Sequence, residues 1–248
     1  MKPRVAIFSF TCCEGCGLAV IECENELLDV LNLIDLVEWR EGLAEKADPP
    51  DLDIALVEGS VSTHADMRKL REIRDRAKVL VAIGACATNG GLNALKNRYG
   101  MNEVKKLVYG EAGAQFDTIP ARPLSAVVPV DLALPGCPID RSEFLSVVRD
   151  VALGKTPQLP NYPVCVECKK KENVCVFFRG MRCMGPVTRA GCGALCPTHG
   201  DGCEGCRGFV DHPNENAHRE TLAEHGLTVE EVLQHFDLFN SYSEDQLA

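Results

Sequence analysis

Cysteine is the residue that most constrains how this chain can fold. The chain contains 14 cysteines among 248 residues, and eight of them fall between residues 165 and 206. These eight are Cys165, Cys168, Cys175, Cys183, Cys192, Cys196, Cys203 and Cys206. Their segment has little regular apolar pattern, and segments below about 40 residues usually need metals, disulfides or a partner to fold. Eight thiolates would suffice for two four-ligand metal sites.

The sequence favours metal sites over disulfides. The N-terminal sequence MKPRVAIFSF runs into an apolar stretch without a twin-arginine signal, a long apolar region or a small-residue cleavage site. We therefore expect a cytoplasmic chain. Thiols stay reduced in the cytoplasm, so dense cysteines there indicate metal binding or catalysis.

Composition argues against two classes of partner. The net charge of -10 disfavours nucleic acid, because phosphate binding needs a basic face. No run approaches the roughly 18 apolar residues of a membrane helix, so we expect no direct membrane insertion.

The first half of the chain has an α/β pattern. Short apolar runs predict strands at residues 5–10, 54–57, 79–83 and 127–130. Helical patterns lie at residues 18–31, with Leu27, Leu28 and Leu31 on one face, and at residues 68–77. Short strands that do not alternate, separated by helices, are typical of a parallel sheet covered on both faces.

Several of the remaining cysteines follow these strands. Cys13 and Cys16 follow the first strand, Cys86 the third and Cys137 the fourth, while Glu58 ends the second. Because ligands bind beyond the carboxyl ends of parallel strands, we expect one four-thiol site at this edge. Glu58 could cap the site, move protons or hold a partner; equally, it could make a helix N-terminal or loop contact.

A proline-rich segment divides the chain. Residues 156–163, TPQLPNYP, have no apolar periodicity and predict a boundary between domains 1–155 and 156–248. Residues 215–239 regain helical character, and a helix beginning near Thr228 would place Val229, Val232 and Leu233 on its inner side.

The spacing of the cysteines does not choose the metal by itself. Four thiolates suit zinc as well as iron, so the second half alone also fits a zinc ribbon. The further site predicted in the first half, and the small and apolar residues between the later cysteines, favour iron–sulfur clusters. A zinc-stapled interaction module without redox activity is the alternative.

In combination, the motifs resemble the iron–sulfur small subunits of nickel–iron hydrogenases. CEGC at 13–16, IGAC ending at Cys86 and PGCP around Cys137 are similar to the pattern that holds the proximal cluster. The 20 kDa-type subunit of respiratory complex I is a more distant relative. VEGSVST from Val57, GPVTRAGCGALCP from Gly185 and the later CEGCRG resemble the cytoplasmic branch, as in sulfhydrogenases and methyl-viologen-reducing hydrogenases.

This resemblance implies a fold and a set of cofactors. The fold would be a flavodoxin-like, doubly wound parallel sheet, followed by an irregular, cluster-stapled C-terminal segment with a terminal helix. Three [4Fe-4S] clusters are implied. The proximal ligands would be Cys13, Cys16, Cys86 and Cys137; the medial ligands Cys192, Cys196, Cys203 and Cys206; the distal ligands Cys165, Cys168, Cys175 and Cys183. Cys12 and Cys23 remain outside these sets, and we interpret both as small buried hydrophobes.

The resemblance also implies a function. The chain would be the electron-transfer subunit of a hydrogenase, with the catalytic nickel–iron centre on a large subunit and no catalytic residue in this chain. Its acceptor could be a flavin and NAD(P)-type subunit, a heterodisulfide reductase-type subunit or a ferredoxin-linked partner. A complex I-like relay whose partner lacks nickel is the alternative within this class.

Overall fold

The computed structural model describes residues 2–45, 47 and 49–243. The strands, in chain order, are β1 (Arg4–Ser9), β2 (Asp35–Trp39), β3 (Leu52–Glu58), β4 (Val61–Thr63), β5 (Ala77–Ile83), β6 (Thr118–Arg122) and β7 (Leu132–Leu134). Five of them form one sheet in the order β2-β1-β3-β5-β7, and every pairing in it is parallel. The other two, β4 and β6, form an antiparallel pair.

This strand order confirms the predicted flavodoxin-like sheet, because the second strand lies outside the first and the later strands follow on the other side. The helices of the first half are α1 (Gly15–Ile21), α2 (Glu24–Leu31), α3 (His64–Arg76), α4 (Gly84–Asn89), α5 (Met101–Tyr109) and α6 (Arg141–Ala152). One face of the sheet packs against α1, α2 and α6, and the other against α3. Burial on both faces explains why the strands read as continuous apolar runs.

The C-terminal half is built from short helices. They are α7 (Val164–Lys170), α8 (Leu195–Thr198), α9 (Glu215–Glu224) and α10 (Val229–Asn240). A small core does form here, since Met184 and Val187 pack with Leu222 of α9 and with Val232 and Phe236 of α10. The terminal helices thus supply apolar cover that the cysteine-rich segment lacks. Among the described helices, none is long and apolar enough to cross a membrane.

Two predicted elements of the first half are wrong in detail. No strand forms at 127–130; a 3-10 helix at Leu124–Ala126 precedes a bend, and β7 follows at Leu132–Leu134. Val128 lies in a loop and is buried against the face of the sheet that packs on α3. Its apolar character therefore reflects burial and not a strand. The predicted helix 18–31 is broken at Cys23 into α1 and α2, and Leu28 faces solvent while Leu27 and Leu31 pack on the core.

The predicted inner face of the last helix is also partly wrong. Thr228 does begin α10, with a capping box to Glu231. Val232 is buried as predicted, but Val229 and Leu233 are exposed. The buried side continues through Phe236 and Phe239, four and seven residues beyond Val232, which is the helical period.

Candidate functional site

The first set of thiols lies at the carboxyl edge of the sheet. Cys13 and Cys16 follow β1, Cys86 lies in α4 directly after β5, and Cys137 follows β7. Burial raises the pKa of Cys16 to about 12, and the neighbouring Glu58, Cys137 and Cys86 add to the rise. Burial likewise raises the pKa of Cys86 to about 11, with Cys137 and Cys13 contributing. The structure therefore brings these four predicted residues together, with Cys13 and Cys137 exposed.

Glycine at position 84 is required by this arrangement. Gly84 begins α4 with a φ of +83°, and a Cβ atom on it would overlap the Sγ of Cys16. A side chain would thus be both strained and blocked by the sulfur. The backbone of α4 can approach Cys16 only because this residue is glycine.

Glu58 lies beside this set, fully inside the protein at 1% exposure. Its carboxylate accepts hydrogen bonds from the Ser9 hydroxyl at 3.0 Å and from the Gly17 N–H, in the first turn of α1, at 3.3 Å. Burial raises the pKa of Glu58 to about 7, and the nearby Glu14 adds to this. The helix N-terminal contact considered from the sequence is thus present, while the raised pKa leaves a proton-transfer role open to test.

The two leftover cysteines differ. Cys23 is buried and its thiol donates to the Ala19 carbonyl at 3.4 Å, which agrees with the interpretation as a small hydrophobe. Cys12 is only half-buried. Its sulfur and one carboxylate oxygen each of Glu14 and Glu58 lie within 4.8 Å of one another. The hydrophobe interpretation is therefore wrong for Cys12, because its neighbours are carboxylates.

A second set of thiols surrounds α7. This helix carries Cys165 and Cys168; Cys175 precedes a 3-10 helix, and Cys183 lies further along the chain. Burial raises the pKa of Cys165 to about 11, and Cys183, Cys168 and Cys175 all add to it. The N–H of Gly185 donates to the Cys183 sulfur at 3.4 Å. A Cβ atom on Gly185 would lie 3.2 Å from that sulfur and 3.5 Å from the sulfur of Cys165.

The third set is held by α8 and by the second CEGC sequence of the chain, residues 203–206, which we call the CEGC segment. Burial raises the pKa of Cys206 to about 12; the backbone of Cys137 opposes the rise, and the thiols of Cys192, Cys137 and Cys196 add to it. Burial raises the pKa of Cys196 too, with Cys192 as its nearest contributing thiol. The fourth member, Cys203, is the most deeply buried of the set, and the thiols of Cys183 and Cys206 both raise its pKa further.

Contacts between the three sets fix their order. The backbone of Cys137, in the first set, lies close enough to the thiol of Cys206, in the third set, to lower its pKa. The N–H of Cys203, also in the third set, donates to the sulfur of Cys183 in the second set at 3.3 Å. The CEGC segment is therefore in direct contact with both neighbours, and the third set lies between the other two.

Sequence reasoning missed Arg207, which follows Cys206. Its side chain is almost completely buried. Its guanidinium group donates to both carboxylate oxygens of Glu143 at 2.9 and 2.8 Å and to the carbonyls of Pro135 at 2.7 Å and Ala190 at 2.8 Å. Arg207 thus fastens the CEGC segment to α6 and to the loop that carries Cys137. The sequence feature that could have identified Arg207 is an arginine directly after the last cysteine of an apolar segment.

The donor groups fit iron–sulfur clusters. All 14 cysteines are described and are free thiols, twelve of them in three sets of four. Burial disfavours the thiolate form, so a cation must accompany deprotonation at these positions. The backbone N–H groups of Gly185 and Cys203 already donate to the sulfur of Cys183, and such hydrogen bonds are the ones that tune cluster potentials.

Comparison with known proteins identifies the family. Residues 13–151, more than half of the chain, match the family described as NADH ubiquinone oxidoreductase, 20 Kd subunit. The chain belongs to this family. The match spans four of the five strands of the parallel sheet, all but β1, and all four thiols of the first set.

The relatives of this 20 Kd family member include hydrogenase subunits. Sulfhydrogenase 2 subunit delta of Pyrococcus furiosus is 39% identical over 206 residues, covering 83% of this chain and 86% of the relative. A subunit of the F420-non-reducing hydrogenase vhu of Methanococcus voltae is 33% identical over 240 residues, covering 85% and 83%. A chain in the crystal structure of an NAD+-reducing [NiFe]-hydrogenase in the H2-reduced state is 29% identical, with a TM-score of 0.58, over 64% of this chain and 96% of that chain. The predicted resemblance to small subunits of nickel–iron hydrogenases is thus confirmed, and with it the oxidoreductase class.

Proposed function

We propose that this chain carries electrons between the nickel–iron site of a large subunit and a downstream acceptor subunit through three [4Fe-4S] clusters. The observation that supports this most is the contact order of the thiol sets, in which the CEGC segment joins the first set to the second. A zinc-stapled module would not require its thiol sets to contact one another in a series. We also propose that the chain divides near residue 155 into a first domain with one cluster and a C-terminal part with two.

In this proposal each thiol set has one role. A cluster bound in each set would supply one-electron oxidation and reduction. The proximal ligands are Cys13, Cys16, Cys86 and Cys137; the medial ligands are Cys192, Cys196, Cys203 and Cys206; the distal ligands are Cys165, Cys168, Cys175 and Cys183. The chain itself positions these sulfurs, buries Cys183 and Cys203 and donates the N–H groups of Gly185 and Cys203 to the sulfur of Cys183.

The large subunit would cover the proximal edge. Cys13 and Cys137 are exposed there, and so are the apolar side chains of Leu18, near Cys16, and Leu92, near Cys86. Exposed apolar side chains around a redox site suit a large, permanent interface. Glu58 lies just below this edge, and with a pKa of about 7 it can take up and release a proton near neutral pH. We assign it a proton-transfer or interface role.

The location we propose is cytoplasmic, because so many free thiols persist only in a reducing compartment. The acceptor can be a flavin and NAD(P)-type subunit, a heterodisulfide reductase-type subunit or a ferredoxin-linked partner. The second candidate function is a relay whose partner lacks nickel, and the match to the complex I 20 Kd family is the observation that favours it.

Anaerobic isolation of the chain with its partners tests the proposal. We expect nickel in the complex, and bleaching of the visible cluster absorption when hydrogen is supplied. The Cys206→Ala variant should keep nickel but lose hydrogen-dependent reduction beyond the proximal cluster, while Cys23→Ser, a substitution of a buried cysteine outside the three sets, should behave as the natural chain. A complex that dithionite bleaches but that contains no nickel would establish the relay instead.

A further inference from the structure

The 3-10 helix that follows α4 returns the chain to the first set of thiols. It spans Gly91–Arg98 and begins just after α4, the helix that carries Cys86. Gly91 has a φ of +55°, and a Cβ atom on it would lie 3.0 Å from the backbone N and Cα of Cys86 and 3.1 Å from its sulfur. A side chain at this position would be both strained and crowded by backbone atoms. Glycine therefore lets the 3-10 helix lie directly against Cys86.

One side chain of this helix, that of Asn93, reaches the sulfur. The Nδ2 of Asn93 donates toward the Sγ of Cys86 at 3.6 Å, which is within hydrogen-bond distance of a sulfur atom. The same Nδ2 donates to the Thr11 carbonyl at 2.8 Å and to the Ser60 hydroxyl at 3.0 Å. A carbonyl oxygen can only accept, so the contact with Thr11 establishes that the nitrogen of this amide faces the sulfur.

The contacts of Asn93 join three loops at the carboxyl edge of the sheet. Thr11 follows β1, Ser60 follows β3 and Cys86 follows β5. The backbones of Thr11 and Ser60 pair through two N–H···O bonds, of 2.9 and 3.1 Å, and Ser60 is fully buried. The amide of Asn93 is therefore anchored to two loops that are themselves bonded together, and it cannot turn away from Cys86 without giving up two shorter hydrogen bonds.

We propose that Asn93 is a positioning residue that raises the reduction potential of the cluster held by the first set. This inference rests on the proposed function, in which Cys86 is a ligand of that cluster. One-electron reduction adds negative charge that is shared by the ligand sulfurs. An N–H group directed at one of those sulfurs therefore stabilises the reduced form more than the oxidised form. Asn93 thus makes the first set a better acceptor for an electron from the large subunit.

Replacement of Asn93 by leucine tests this role, because leucine has nearly the same shape but cannot donate a hydrogen bond. The matched control is Asn97→Leu in the same 3-10 helix. Asn97 makes two hydrogen bonds of 2.7 Å with the backbone of Ala121 in β6, so this control also removes two short hydrogen bonds of the helix. Both complexes are isolated anaerobically, and the midpoint potential of the proximal cluster is measured by electron paramagnetic resonance during titration with dithionite.

We expect the full iron content in both variants and a lower proximal potential in Asn93→Leu alone. Loss of one hydrogen bond to a charged sulfur should disfavour the reduced form roughly tenfold, which is equivalent to about 59 mV for one electron. The potentials of the other two clusters should not change. An unchanged proximal potential in Asn93→Leu, or an equal shift in Asn97→Leu, would overturn the proposal.

A second measurement covers the case in which Asn93→Leu does not retain the proximal cluster. The natural complex is prepared with asparagine isotopically labelled at the side-chain amide nitrogen, and pulsed electron paramagnetic resonance is recorded on the reduced proximal cluster. We expect a coupling to this nitrogen, and its absence would contradict the proposal. Dithionite reduces clusters without hydrogen turnover, so failure of the proposed function would show separately, as clusters that dithionite reduces and hydrogen does not.

Discussion

At the scale of single residues, Arg207 has the largest structural consequence. It is buried, and it satisfies Glu143 and two carbonyl groups at once. Removing one partner of a buried ion pair leaves an uncompensated charge, which costs roughly 3–5 kcal/mol. Burial already raises the pKa of Glu143, and Arg207 is the main group that opposes the rise.

We therefore predict that Arg207→Met lowers the melting temperature of the complex and its iron content together. Arg207→Lys should be intermediate, because an ammonium group keeps the charge but loses the two-pronged contact. The control is Arg71→Met, on the exposed side of α3. If the Arg207→Met complex has the same melting temperature as the Arg71→Met complex, then the CEGC segment is not held by this arginine.

Adjacent cysteines give the second prediction at this scale. Cys13 contributes to the raised pKa of both Cys86 and Cys137, whereas Cys12 lies against the carboxylates of Glu14 and Glu58. Cys13→Ser should lower the iron content or alter the spectrum of the proximal cluster, and Cys12→Ser should leave the iron content complete. The check is iron analysis with electron paramagnetic resonance of the reduced complex. The opposite pattern would move the ligand from Cys13 to Cys12.

At the scale of elements, α8 would set the type of the proposed medial cluster. It carries Cys196, whose pKa is raised by burial and by the neighbouring Cys192. Cys196→Pro removes one of four thiolates without a replacement, so the iron at that corner should be lost. We expect a [3Fe-4S] signal in the oxidised complex and a higher medial potential. A spectrum unchanged from that of the natural complex would show that Cys196 is not a ligand.

The terminal helices should respond to acid. Burial lowers the pKa values of His218 in α9 and His235 in α10 to about 4, below the usual value near 6.5. The unfolded chain would therefore bind protons first as the pH falls. The stabilisation is complete above about pH 6.5 and is lost progressively toward pH 4, and the loss at pH 5.5 is about 1.4 kcal/mol per histidine.

Hydrogen exchange tests this, with rates corrected for the intrinsic effect of pH. Amides of α10 should lose protection between pH 7.5 and pH 5.5, and those of α3 should not. His235→Phe keeps an aromatic ring of similar size but cannot titrate, so it should remove part of the loss. Equal pH dependence of α10 in both proteins would contradict the prediction.

Elements also show how far sequence patterns can predict this fold. The parallel strands can be predicted from the sequence because strands buried on both faces are continuous apolar runs. The same rule misplaced a strand at 127–130, since Val128 is buried in a loop, and burial rather than strand geometry makes it apolar. The sequence predicted that the four thiols of the first set meet, because they follow the ends of parallel strands. The order of the three sets did not follow from strand ends, because it depends on contacts between segments far apart in the sequence, such as those of Cys206 with Cys137.

At the scale of the whole molecule, the thiol sets form a series with an exposed group at each end. Cys13 and Cys137 are exposed at one end and Cys175 at the other, Cys196 of the middle set is exposed as well, and Cys183 and Cys203 are buried. The surroundings of the two ends differ as well. Three exposed lysines, Lys169 to Lys171, follow Cys168 of the distal set in the sequence, whereas the apolar Leu18 and Leu92 are exposed near the proximal set.

The iron and sulfide content of this chain, in complex with its large subunit, tests the central claim most directly. Anaerobic isolation followed by elemental and acid-labile sulfide analysis should give about twelve cluster irons and about twelve sulfides per chain, from three clusters of four irons each. Mössbauer spectra separate the cluster irons from any iron on the partner. About two zinc ions per chain with little or no sulfide would contradict the account, because the C-terminal thiols would then be zinc sites and no series of redox centres would exist.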